Sequence, residues 1–537
     1  KPSGASYAID RNSILVEGVA VCDVELGYDG NLYLADYGGG WSVNKNGTIQ
    51  VMRPTDSEKR AIGKETALAF KKGFLGRSLP ELELLLSHDD QRVRQAAQFA
   101  MVKKGESSVD TLVSILNNVD SKNQASLHAV WALGQLYRNG VEAAASHLVS
   151  SLVSENAEIR ANAARTCGDI SLTSSKEPLI ALLNDSSKRV VSLAAIALGR
   201  VAPSGDQESV EALFTLCKAN EGSSFDVTVR HAILSALSRL SSPEQTHAMV
   251  KSESFEQRML ALLVCRRLGH PHLDLFLNDE SSAIRNEAVS AIYDTNALDA
   301  PSGKKLVSLN PEDFPFHQQV RLIGAYFRIG TAESAEALIN VCSNSKLKEE
   351  VRVFAMEALL RWSLPMDTDP VLGHYRPTLK STFTRPELVK AHGEEIRTLV
   401  EKEKAPKLAS ILGRFVMEAG ISMNPEVLRQ QVLDKKLNPE VRASNLRSLL
   451  SLNDPADNEI ITRLIEDKSG LVRSVGYSGL LEREVENSLE KAVLAVKEDD
   501  PVVARSIFEV LSNRKPQVLI DIWKMRELDL RNELWLD

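Results

Sequence analysis

At 537 residues, 43% hydrophobic and 25% charged, the chain has a globular balance but exceeds one ordinary core, so several domains or a repeat array are expected. Aromatics are only 5% while Ala, Leu, Val and Ser recur, which suits helices packed through small residues better than a large β-sandwich or barrel. A formal charge of −8 argues against a nucleic-acid partner, and no apolar run reaches the roughly 18 residues of a membrane span.

The chain opens Lys1-Pro2-Ser3-Gly4, with neither an initiator Met nor a signal peptide, so a removed leader or a piece of a longer protein is expected. Residues 1–53 alternate, are rich in β-branched side chains and are punctuated by glycine. Strands are predicted at residues 13–21 and 24–27, a tight hairpin turn at Asp29-Gly30-Asn31, a returning strand at residues 32–35 and a last strand at Thr48–Met52. The loop Asp36-Tyr37-Gly38-Gly39-Gly40-Trp41 lies between the last two. Three or four short strands in about fifty residues is the size of one β-propeller blade. One blade alone exposes two sheet edges. It must therefore pack on the remainder of the chain or belong to a propeller whose other blades precede Lys1.

After a linker or helix at residues 54–79, one phrase keeps returning: an aliphatic residue, often Arg next, then small or apolar residues three and six places on. It reads Val93-Arg94 with Ala97 and Ala100, Ile159-Arg160 with Ala163, Val229-Arg230 with Ile233 and Ala236, and Ile284-Arg285 with Ala288 and Ala291. Val351-Arg352, Val441-Arg442 and Val472-Arg473 continue it. Copies without that Arg pattern lie between, at Ala125-Ser126, Val190-Val191, Gln257-Arg258 and Val320-Arg321, and Val503-Ala504 is the last. About a dozen units of roughly 27–35 residues result. The offsets put small residues on one helix face, so a neighbouring helix can approach closely. A Leu-rich helix precedes each, as at residues 80–87 and 178–183, with His88-Asp89-Asp90, Asn184-Asp185-Ser186 and Asn278-Asp279-Glu280 as turns and N-caps. Stacked pairs of this kind are the signature of HEAT repeats. The recurring Arg and Asp are expected to bond across turns and between neighbouring repeats.

The rhythm breaks at about residues 363–398, where Pro365, Pro370, Pro377 and Pro386 accompany Gly373. An irregular excursion is predicted, either a connecting insertion or a loop that binds.

Chemistry-bearing residues are few. Cys22, Cys167, Cys217, Cys265 and Cys342 are widely spaced and never form CxxC; buried small hydrophobes are expected. No nucleophile elbow, Walker loop, dinucleotide fingerprint or HExxH occurs. Gly38-Gly39-Gly40 has no helix after it to offer an N-terminus to phosphate and reads as a turn. His270-Pro271-His272 beside Asp274 could bind zinc or copper but lacks further ligands, and an exposed turn is the alternative. His128 beside Trp131 reads as a packed core histidine. Asp23, Asp29 and Asp36 either shape turns or set carboxylates at a blade edge for calcium or a substrate.

The strings Lys1 to Ser6, Cys22-Asp23-Val24, Asp29 to Asp36, Gly40-Trp41 and Gly47-Thr48-Ile49 resemble the last propeller blade of bacterial PVC-type haem-binding CxxCH proteins. That propeller is similar to sorbosone or glucose dehydrogenases. The resemblance continues through Gln91 to Ala100, His128 to Leu133, and Asp369-Pro370-Val371-Leu372-Gly373-His374-Tyr375-Arg376-Pro377. It implies a secreted or periplasmic protein of propeller, HEAT solenoid and cytochrome c domain, a dehydrogenase passing electrons to haem. This sequence holds one blade's worth of propeller and no CxxCH, so the family's catalytic and haem residues map to no position here. Its ending at Trp535-Leu536-Asp537, mid-helix by pattern, fits a fragment cut before the haem domain.

The sequence thus predicts a mainly α fold: a HEAT-repeat (armadillo-type) α-solenoid superhelix preceded by a short β segment resembling one β-propeller blade. The expected divisions are residues 1–53 (blade-like), 54–79 (linker or helix) and 80–537 (solenoid, with the insertion at about 363–398). No residue is assigned a catalytic, cofactor-binding or metal-binding role, and haem c belongs to a domain outside this chain. A non-catalytic scaffold is expected, the spacer of a larger periplasmic or extracellular electron-transfer protein, or else a stand-alone adaptor binding a peptide or protein. Its partners would be proteins or neighbouring domains, with no nucleic acid and no membrane span.

Overall fold

A computed structural model of the chain describes residues 1–38, 47–118, 123–220, 222, 225–270, 272–378, 381–498 and 501–525. They form two compact units, Lys1–Leu268 and Gly269–Asp537.

The first unit begins with β1 (Pro2–Ser3) and β2 (Ser6–Tyr7), paired around Gly4. A three-stranded antiparallel sheet follows: β3 (Val21–Leu26), β4 (Leu32–Asp36) and β5 (Thr48–Met52), in that order. The register sets Leu34 opposite Val24 on one side and Gln50 on the other. Residues 13–20, predicted as strand, lie outside any ladder. The outer edges of β3 and β5 stay free, but residues 13–20 pair with neither, and Ile14 and Val16 remain exposed. The hairpin between β3 and β4 closes where Gly27 N–H donates to Asn31 O (2.8 Å), with Gly30 at φ +78. Gly39-Gly40-Trp41 of the next loop lie outside the described residues.

Helices then alternate: α1 (Ser57–Lys72), α2 (Leu79–Leu86), α3 (Gln91–Lys104), α4 (Val109–Asn117), α5 (Asn123–Arg138), α6 (Ala144–Ser151) and α7 (Ala157–Asp169). α8 (Lys176–Leu182), α9 (Lys188–Val201), α10 (Gln207–Ala219), α11 (Val227–Leu240), α12 (Pro243–Ala248) and α13 (Phe255–Leu268) complete the unit. α3, α5, α7, α9 and α11 pack side by side as one layer, each with its shorter partner on the other side. Starts are set by side-chain caps: Asp90, Asn156, Asp206 and Asp226 each accept from backbone N–H groups of the helix they begin. Close spacing follows from small residues. A Cβ on Gly168 would sit 2.7 Å from Ala197 Cα, so α7 and α9 touch backbone to backbone there.

The second unit repeats the plan with α14 (Ser282–Tyr293), α15 (Pro301–Lys305), α16 (Phe316–Ile329), α17 (Ala332–Ser343), α18 (Glu349–Leu360), α19 (Arg385–Lys402) and α20 (Pro406–Ala419). α21 (Pro425–Leu433), α22 (Pro439–Ser451), α23 (Asn458–Leu464), α24 (Gly470–Glu482), α25 (Ser488–Glu498), α26 (Pro501–Arg514) and α27 (Pro516–Met525) follow. α14, α16, α18, α20, α22, α24 and α26 form the continuous layer. The irregular path predicted for 363–398 ends at Thr384. Pro386 starts a helix instead of breaking one: it occupies the first turn of α19, where no N–H is required, and Thr384 with Glu387 closes a capping box. Trp535-Leu536-Asp537 lie outside the described residues.

Candidate interaction surfaces

Several of the recurring arginines are turn staples. Arg94, Arg160, Arg258, Arg285 and Arg473 each fold back so that Nη1 donates to the carbonyls six and five residues earlier, at 2.7–3.1 Å. Those carbonyls end the preceding turn, beyond the reach of helical hydrogen bonds. Arg160 also binds Asp185 (2.7 and 3.0 Å) and Arg442 binds Asp467 (3.2 and 2.6 Å), each joining one repeat to the next. Burial alone would raise the two carboxyls. The arginines and backbone donors outweigh it and hold both below the usual range.

The carboxylates weighed for calcium shape turns. Asp29 accepts from Asn31 N and Tyr33 OH; Asp36 accepts from Gly38 N and Gln50 Nε2; Asp23 accepts from Val24 N. His270 and His272 lie with ring centroids 5.3 Å apart, and Asp274 is taken up by Ser302 Oγ (3.0 Å); Pro271 lies outside the described residues. Among the described residues no group of three His, Cys, Asp or Glu side chains is placed to hold a metal. Cys22 is exposed and Cys167, Cys217, Cys265 and Cys342 are buried. Burial pushes Cys167 up to about 12 and Cys265 to about 11, which keeps both as inert thiols.

The first helices grip the sheet by its hairpin. Arg92, held by Asp90 (2.6 Å), donates to the carbonyls of Leu26 and of Gly27 (3.1 Å), and its guanidinium lies 5.0 Å from the Tyr28 ring. Tyr28 stacks on Phe70 of α1 at 4.1 Å. Gly63 faces Gly30, and any Cβ at Gly63 would strike the Asp29 carbonyl. A cleft of about 480 Å³ remains beside this clamp, lined by Glu25, Lys59, Asp89 and Gln95 among others. β1 and β2 dock separately: Ala5 N–H donates to Asp226 (2.8 Å) and Arg189 lies over the Tyr7 ring at 5.3 Å.

α3, α5 and α7 form a groove of about 330 Å³ in which Phe99 and Trp131 lie among polar side chains. Arg94 Nε donates to His128 Nε2 (3.3 Å), so the proton of the neutral ring is on Nδ1, which meets Gln98 Oε1 at 2.7 Å. Gln98 Nε2 then donates to Gln135 Oε1 (3.0 Å). Burial, then the Arg94 charge, lowers His128 to about 4 and keeps it neutral. Trp131 stands edge-on to His128, its Nε1 donating to Asn162 Oδ1 (3.2 Å).

In the second unit the excursion is tied down by buried charge. Asp369, fully buried, receives Tyr293 OH (2.9 and 3.1 Å) and the N–H groups of Val371 and Leu372 (both 2.9 Å). Arg376 donates to the carbonyls of Tyr293 and Thr295, and Arg328 to those of Arg376 and Pro377. Burial would raise Asp369, yet the backbone donors, Tyr293 and Arg328 together lower it. The turn thus held presents Tyr375 at 76% exposure.

Residues 145–224 match the family of HEAT repeats.

Among solved structures, the CpcE–CpcF complex of phycocyanin lyase from Nostoc sp. is similar at 22% identity and TM-score 0.23, over 47% of this chain and 87% of that one. A homology model of the full-length AP-3 complex is similar at 14% identity and TM-score 0.36, over 86% and 93%. Kap95p, from a complex with RanGDP, is similar at 12% and 0.35, over 84% and 69%. No curated protein matches the sequence.

The matched HEAT region begins within α6 and includes α7–α10, whose Arg160–Asp185 bridge is one of the repeat-to-repeat links. Sequence reading located His128 and Trp131 but missed the chain from Arg94 to Gln135. Its signal was available: Gln98 falls one turn from Arg94, as Gln135 falls one turn from Trp131. Asp369 and Arg376 stood within the Asp369-to-Pro377 string without an assigned role.

Proposed function

We propose that the chain is a non-catalytic HEAT-repeat scaffold that holds other protein elements in fixed positions. The clamp of Arg92, Tyr28 and Gly63 on the β-hairpin carries this reading, because the solenoid already grips a non-helical element there. As proposed more finely, the sheet is one piece of a larger β-propeller, and the solenoid spaces that propeller from a cytochrome c domain in a secreted or periplasmic electron-transfer protein. Support comes from the sheet's outer strand β3, exposed along all six residues, and from the sequence resemblance. Haem c itself does not fit this chain: its four buried cysteines sit singly within helices, and no CxxCH is present. No electron-transfer step is therefore assigned to residues here, and no nucleic-acid or membrane partner is proposed. Among the described residues, no helix is long and apolar enough to cross a membrane.

Intact mass and absorbance of the protein purified from its native source test the finer reading. A haem-bearing species well above 59.0 kDa supports the spacer role. A haem-free species of that mass favours the alternative, an adaptor binding a peptide, for which the groove across α3, α5 and α7 is the supporting observation.

A further inference from the structure

We propose that the groove across α3, α5 and α7 binds an extended acidic peptide segment, whose main-chain carbonyls and carboxylates accept hydrogen bonds from Gln135 and from the arginines at its rim. This rests on the scaffold reading and names the partner chemistry.

The argument starts from a directed relay. Arg94 has no acceptor to offer, so His128 must accept at Nε2, Gln98 must accept at Oε1, and Gln135 must accept at its own Oε1. Each acceptor along the line already takes a hydrogen bond from within the protein. What remains at the groove end is the Gln135 NH2 group, a pair of donors polarised by the chain behind it. Such an end selects ligands that bring acceptors.

The rim adds net positive charge. Arg165 and Arg200, both exposed, share the single carboxylate of Asp169, which lies 3.6 Å from Arg165 Nε and in contact with Arg200. Two guanidiniums against one aspartate leave the patch net positive in a chain of formal charge −8. Basic residues towards helix C-termini complement the macrodipole, but that stabilisation leaves their outward donors available. Phe99, 47% exposed, and the edge of Trp131 border the groove, giving an apolar side chain somewhere to lie.

The same layer already receives extended chain. β1 and β2 of this protein lie on it, with Ala5 N–H on Asp226 at the start of α11 and Tyr7 against Arg189 of α9. Those contacts are at the N-terminal ends of α9 and α11, and they show that helices of this layer accept extended chain. A peptide is favoured over a nucleic acid because Asp169 sits inside the patch and amides, suited to main chain, line it.

The test is selection of random displayed peptides of about a dozen residues on the full chain, followed by titration of the selected peptides. Enrichment in Asp and Glu is expected, with an affinity that falls as salt rises. The double variant Arg165→Glu/Arg200→Glu should weaken binding by about a hundredfold, and Gln135→Leu by about tenfold. Thermal melts of each variant establish that it is folded, and Lys436→Glu, an exposed position in the second unit, serves as the charge control and should bind normally. Three outcomes overturn the proposal: no peptide is selected, the selected peptides are not acidic, or they bind the groove variants as tightly as the parent. Equal binding of an oligothymidylate with the same sensitivity to the variants would also overturn it. Peptides that bind but ignore the groove variants would sink this site while leaving the scaffold reading intact.

Discussion

Arg285 reaches back over the turn that begins its helix and binds the carbonyls of Asp279 and Glu280 at 2.7 and 3.0 Å. Replacing it with Ala leaves two carbonyls to find water, and the loss should be about 1–2 kcal/mol. A lowered melting temperature for Arg285→Ala is the expected result; an unchanged one would deny the staple its role. His128 makes a different prediction, in pH. Unfolded, a histidine titrates near 6.5, whereas in the fold it is lowered to about 4. Between those values the unfolded chain binds a proton that the folded chain refuses. The stability due to neutral His128 is therefore present above about pH 6.5 and lost as pH falls towards about 4. His128→Gln should lose less melting temperature than the parent between about pH 7 and pH 5, measured by thermal scans in parallel. These roles were half legible in the sequence: the repeating Arg showed as a pattern, but its acceptors are backbone groups that no side-chain motif records.

At the scale of elements, the clamp on the hairpin separates what the sheet needs from what the helices need. Arg92 serves both, since it pairs with the cap Asp90 and holds the carbonyls of Leu26 and Gly27. Arg92→Ala together with Tyr28→Ala should free the sheet, so that limited proteolysis cuts within residues 9–30 while the helical circular dichroism signal is nearly unchanged. Resistance equal to the parent would show that the sheet is held elsewhere. The strands and helices were readable to the extent that their partners are near in sequence. Thr48–Met52 was legible because its apolar alternation is bounded by Gly47 before it and Pro54 after it. Residues 13–20 were misread because alternation shows which side chains share a face, not whether the backbone finds a partner strand. The helix at Arg385–Lys402 was read as partly irregular because Pro386 breaks a helix interior but favours a helix start. Thr384→Ala removes that start's cap and should cost about 1 kcal/mol, read as a lower melting temperature.

Across the whole molecule, repeats touch mainly their neighbours, so damage should stay local. The repeat plan was legible because each copy is written in contiguous residues, as Val93-Arg94 and Ile284-Arg285 show. The tethered excursion was not, because Tyr293 and Asp369 are 76 residues apart and neither is unusual alone. That pair offers the sharpest test of locality. Asp369→Ala leaves Arg328 and Arg376 without their carboxylate and frees the Tyr293 hydroxyl, a loss of about 3–5 kcal/mol for a broken buried ion pair. Asp369 is a lowered carboxyl, so its stabilisation is present above about pH 4 and is lost as pH falls through its folded value. Hydrogen exchange on the variant at neutral pH should therefore show protection lost in α14, α16 and residues 366–378. Protection in α5, α7 and α9 should match the parent, because the side chains that hold Asp369 all come from α14, α16 and the excursion itself. If protection fell equally in α7 and α14, unfolding would be cooperative along the whole chain, and the nearest-neighbour account of this solenoid would have to be abandoned.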